Sequence, residues 1–131
     1  MKKIIIAAAF ILFAGLAFGQ TLQKGSVLAL RTDAPTLNPG VTMDQYAEFM
    51  VNTFAPEFEK LFPGTKVFIL KADRGEHTGG YAMLIYIESA ELRDKLFGVE
   101  DAETQSKLLP LMEKLGKFGT VSEKYTDWVV L

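Results

Sequence analysis

The chain has 131 residues, 14 basic and 16 acidic, with one histidine, no cysteine and a formal net charge of −2. Mild acidity excludes the basic footprint of a general nucleic-acid binder. The lack of cysteine excludes disulfides, thiol nucleophiles and sulfur-ligated metals.

Met1-Lys2-Lys3 precedes an almost unbroken apolar run from Ile4 to Phe18, followed by Gly19 and Gln20. A charged start, a short apolar stretch and small residues at Ala17 and Gly19 form a secretory leader, with the cut expected between Gly19 and Gln20. The run falls short of the roughly 20 apolar residues a membrane span needs. The expected mature chain, residues 20–131, is a single domain outside the membrane, in the periplasm or secreted. Losing Lys2 and Lys3 leaves 12 of the 14 basic residues against 16 acidic ones. The mature chain is therefore a poor match for anionic lipid as well.

Val27 to Thr32 is a short apolar run that reads as a first strand, and Asp33-Ala34-Pro35 through Asn38-Pro39-Gly40 supplies turn chemistry after it. Thr42 to Gln45 has the spacing of a capping box, so a helix starts there. Tyr46, Phe49, Met50, Phe54, Phe58, Leu61 and Phe62 then recur at helical spacing. Pro56 falls inside this pattern, where it removes a backbone donor and should kink the helix, and Pro63-Gly64 ends it. Val67–Leu70 and Tyr81–Ile87 read as two strands of an antiparallel hairpin, joined through DRGEHTGG at 73–80. Ser89 is placed to cap a short helix ending at Phe97, before Gly98. A further helix is expected from Asp101 to about Lys117, interrupted by Pro110 and closed by Gly116 and Gly119. Tyr125–Leu131 completes the set as a last strand.

The order β-α-β-β-α-β predicts an α+β, ferredoxin-like fold, with a four-stranded antiparallel sheet and helices on one face. Alternate residues of a strand face opposite sides. In the third strand Tyr81, Met83, Ile85 and Ile87 share one side while Ala82, Leu84 and Tyr86 share the other, so both faces are apolar. The second strand repeats this, with Val67 and Ile69 opposite Phe68 and Leu70. A half-solvated antiparallel sheet alternates apolar with polar residues, so the second face needs a cover. A second copy of the chain is the simplest one.

The stretch from Gly79 to Phe97, GGYAMLIYIESAELRDKLF, takes a strand into a Ser-capped helix with an Arg93-Asp94 pair and a terminal aromatic. With the element order it resembles the dimeric α/β-barrel superfamily, in an exported bacterial version without assigned activity. The resemblance implies two ferredoxin-like sheets packed face to face in a homodimer. It also implies a set of relatives that includes cofactor-independent monooxygenases and haem-binding proteins. Their oxygenase and haem branches place a histidine, asparagine or tryptophan between sheet and helices. Here His77 falls in the hairpin loop and Trp128 in the last strand, and no complete catalytic set matches.

The candidate catalytic residues are accordingly His77, Tyr86 and Trp128, on the reading that the chain is a monooxygenase-like enzyme. The other reading is a non-enzymatic homodimer that takes a small apolar ligand between sheet and helices, touching Phe49, Phe58, Tyr86 and Trp128. The aromatic stripe of Phe49, Phe54, Phe58 and Phe62 also fits a plain core. Asp73, Glu76 and His77 offer metal-ligand types, but adjacent residues diverge and no metal is expected. No cofactor is expected either. The glycines of the 73–80 loop give backbone freedom for a turn, with gating of the dimer's cleft as a secondary role. Glu88 and Asp127 are carboxylates on strands, for which an exposed edge position is the simplest account.

Overall fold

The structure, a computed structural model, describes residues 22–98, 102–122 and 124–131. The leader, its cleavage point and Asp101 lie outside the described residues. The elements run β1 (Val27–Arg31), β2 (Thr36–Leu37), α1 (Met43–Phe49), a π-helical turn (Met50–Phe54), α2 (Ala55–Leu61), β3 (Thr65–Lys71), β4 (Tyr81–Ile87), α3 (Ala90–Phe97), α4 (Ala102–Gly116), β5 (Gly119–Thr120) and β6 (Thr126–Val129).

β3, β4, β1 and β6 lie in that order in one antiparallel sheet. This is the ferredoxin-like arrangement expected from the element order. Val27 sits opposite Ile87 and Val129, and Ala29 opposite Ile85 and Asp127. Cross-strand partners share a face, so Val27, Ala29, Val67, Ile85 and Ile87, all buried, form one apolar layer. Tyr46, Met50, Phe54, Phe58, Leu96, Leu111 and Leu115 from the helical segments complete the core. Phe58 stacks on Phe54 with ring centroids 5.8 Å apart and meets Phe62 at 4.9 Å.

Local chemistry accounts for the element ends. Thr42 Oγ1 accepts from the Gln45 amide at 3.2 Å while Gln45 Oε1 accepts from the Thr42 amide at 2.9 Å, which is the expected capping box. Ser89 Oγ accepts from the Leu92 amide at 3.1 Å and starts α3. Gly64 turns the chain from α2 into β3 with φ of +91°, and a side chain there would crowd Glu88 and Leu92.

The two prolines act differently from the expectation. Pro56 was expected to kink its helix. The interruption takes the form of the π-helical turn just before it, in which the Ala55 amide donates to the Met50 carbonyl. One extra residue in that turn makes room for the ring and the missing donor. Pro110, expected to interrupt the second long helix, lies inside a continuous α4. Ser106, whose carbonyl loses its helical partner, and Pro110 are both exposed, so the freed group is open to solvent.

The segment after β1 is also more than a turn. β2 pairs with β5, Thr36 opposite Thr120 and Leu37 opposite Gly119, in a separate two-stranded ladder. The backbones come so close that a Cβ on Gly119 would collide with the Thr36 carbonyl and lie 3.0 Å from Leu37 Cα. This small ladder closes one end of the space between sheet and helices.

Candidate functional site

Two surfaces stand out. The first is the sheet face turned away from the helices. It carries Leu28, Leu30, Ala82, Leu84 and Tyr86, all partly exposed, flanked by Phe68 at 48%, Leu70 at 39% and Trp128 at 59% exposure. Lys66 and Thr126 are its polar margin. Tyr86 is tied down within it, its hydroxyl 3.0 Å from Ser26 Oγ. The edge strand β3 is blunted at one point, because Glu59 Oε1 accepts the Val67 amide at 2.9 Å. The face, not the edge, is the open apolar surface.

The second surface is a cleft of about 430 Å³ between the sheet and the helices. Met83 and Ile85 of β4 form its floor, and Met50, Phe54, Phe58, Phe97, Leu108, Met112 and Leu115 form its apolar walls. The π-helical turn thus supplies Met50 and Phe54. Thr120, Val121 and Ser122 stand at its end, next to the β2–β5 ladder. This volume lies in the range of small-molecule sites, roughly 300–1,000 Å³.

Arg31 is the one charged residue among those lining this cleft. Its position follows from strand alternation. Val27, Ala29 and Arg31 share the helix-covered face, so the residue that ends β1 brings a guanidinium to the rim of the core. Its Nη1 donates to the Ser122 carbonyl at 2.8 Å, and its Cζ lies 5.3 Å from the Tyr125 ring centre. Its Nε is buried without a hydrogen-bond partner.

Arg31, Met50, Met83, Val121 and Ser122 also line a smaller cavity of about 30 Å³, shared with Asp33, Tyr46 and Tyr81. That volume admits a water or a few ligand atoms. Burial pushes the Tyr46 phenol above its ordinary 10.0, and the nearby Arg31 charge partly opposes this. Tyr46 therefore presents a neutral hydroxyl beside a fixed cation. Asp33 Oδ2 accepts from the Ser122 hydroxyl at 3.1 Å.

The residues singled out from sequence fall in several places. Phe58 lines the cleft. Phe49 stacks on Phe118, 4.4 Å between centroids, on the outer side of α1. Tyr86, opposite Leu28 and Lys66, and Trp128, on the other side of Leu28, lie on the bare face, so a ligand between sheet and helices meets neither. His77 sits exposed in the 73–80 hairpin loop, where its carbonyl accepts from the Gly80 amide at 2.9 Å. The loop curls beside Leu30, Leu70 and Ala82 at one end of the bare face. Among the described residues, no three metal-ligating side chains converge. Asp127 is not an idle edge carboxylate: its Oδ2 pairs with Arg93 Nη1 at 3.2 Å. Glu88 is exposed just past β4.

Arg31 and Tyr46 were not anticipated. Arg31 was read only as part of the first strand and Tyr46 only as part of the apolar helical stripe, and nothing local in the sequence shows that the two meet.

No protein-family model matches the chain, and no curated protein matches it. Among solved structures it is similar to a dimeric protein of unknown function and ferredoxin-like fold from Bacteroides fragilis. That likeness has 12% identity and a TM-score of 0.41, covering 82% of this chain and 99% of that one.

Proposed function

We propose that the protein is an exported homodimer that binds a small apolar molecule in the cleft between sheet and helices and catalyses no reaction. The observation that carries the dimer is the bare sheet face, where Phe68, Leu70 and Trp128 surround partly exposed Leu28, Leu30 and Leu84. Apolar area is worth about 25 cal/mol per Å² when removed from water, and a contiguous exposed patch of this kind marks an interface. A second copy offers the matching apolar face, and its packing would leave each protomer's cleft free on the opposite side.

The binding role is supported by the shape and lining of the cleft. A catalytic role has less support, because His77, Tyr86 and Trp128 all lie away from it. Export rests on the Met1–Gly19 leader. Light scattering of the purified protein over a dilution series tests the assembly. A dimer is expected, and a monomer at micromolar concentration would overturn the face-to-face reading.

A further inference from the structure

Building on the reading of the cleft as a ligand site, we infer that its occupant is an amphipathic monoanion, a carboxylate on an apolar body, held by Arg31 with Tyr46 beside it.

The cleft and the small cavity are continuous in their lining, since five residues, Arg31 among them, border both. They differ in chemistry. The large part is walled by methionine, leucine and phenylalanine, whereas the small part gathers Arg31, Tyr46, Tyr81 and Asp33. A molecule spanning them needs an apolar body and one polar end.

The sign of that end follows from charge. A guanidinium has five donors in a planar fork suited to a carboxylate. In Arg31 one nitrogen is used by the Ser122 carbonyl and one face by the Tyr125 ring, while buried Nε has no partner. A buried donor left unpaired is costly, more so on a charged group. No carboxylate lines the large cleft. In the small cavity the Asp33 carboxylate is engaged by the Ser122 hydroxyl. Tyr46 adds no competing charge, because its buried phenol stays neutral and can donate. The single cation can match one negative charge but not two, and Asp33 at the small end further disfavours a phosphate dianion.

Tyr81 takes no share of this role, as its hydroxyl donates to Asp44 Oδ1 at 3.3 Å. The competing account of Arg31 is purely structural: it pins the strand-connecting segment through Ser122 and Tyr125.

The test titrates the purified protein with hexanoate, octanoate and decanoate and with the matched alcohols hexanol, octanol and decanol, by calorimetry and by protein-observed NMR. Acids are expected to bind about tenfold or more tighter than the alcohols of equal length. Shifts should centre on Met50, Met83 and Val121. Arg31→Gln should bring the acids down to the alcohols while leaving alcohol affinity unchanged, and Tyr46→Phe should weaken the acids alone by a smaller factor. Equal binding of acids and alcohols to the unaltered protein overturns the inference and leaves the apolar cleft standing. Binding of neither overturns both. Should Arg31→Gln fail to fold, the acid-to-alcohol ratio of the unaltered protein and the Tyr46→Phe result decide the matter.

Discussion

Arg93 of α3 reaches Asp127 of β6, Nη1 to Oδ2 at 3.2 Å, and so ties a helix to an edge strand. Both side chains are largely buried, at 27% and 19% exposure, and Asp127 Oδ1 has no partner. Arg93→Ala would leave the largely buried carboxylate without this cation, at a cost of about 1–3 kcal/mol. Chemical denaturation of Arg93→Ala, Asp127→Asn and the double variant measures the coupling. Additive single effects would show that the pair contributes nothing beyond its parts.

If the bare face is the proposed dimer interface, a charge placed on it should separate protomers without unfolding them. Trp128→Asp and Phe68→Lys alter side chains that are more than two-fifths exposed in the protomer. Each is expected to shift the dimer toward monomer while changing protomer stability by no more than about 0.5 kcal/mol. Light scattering reads the first effect and denaturation at low concentration the second. Unchanged mass in both variants would place the self-association elsewhere.

The proposed export has a direct readout. Expression in a bacterial host with an intact export pathway should yield a mature chain beginning at Gln20, because Ala17 and Gly19 meet the small-residue requirement of the cut. Intact mass and N-terminal sequencing of the envelope fraction report it. A full-length product held in the cytoplasm would rule out export.

Alkaline pH should destabilise the fold through Tyr46. Its folded-state phenol lies above 10.0 because burial disfavours the phenolate, with Arg31 opposing in part. The unfolded chain therefore loses this proton first, and stability drops as pH rises past 10.0, having been fully present below it. Urea midpoints at about pH 8 and about pH 11, on either side of the ordinary tyrosine value, should fall less for Tyr46→Phe than for the unaltered protein. An equal drop in both would remove Tyr46 as the cause.

Much of the scaffold was legible because its signals are local. Thr42 with Gln45, Ser89 with Leu92, and Gly64 after α2 each involve neighbours in sequence, and strand alternation alone exposed the doubled apolar faces of β3 and β4. What escaped depends on long-range meetings. β2 and β5 are two residues each and separated by most of the chain, too short for any periodicity to show. The polar end of the cleft escaped for the same reason: Arg31 and Ser122 are 91 positions apart. Pro56 was visible as an interruption, but its answer, a wider turn begun at Met50, lies in how the helix packs on the sheet.

The ladder of Thr36–Leu37 with Gly119–Thr120 closes one end of the cleft with only two residues per strand. Cooperative units with few bonds and little buried apolar area open at a small fraction of the global unfolding free energy. The amides of this ladder should therefore exchange with solvent long before those of β1 and β4. The core can stay folded while its smallest sheet comes apart, so the end of the cleft can open and close without the rest of the chain unfolding.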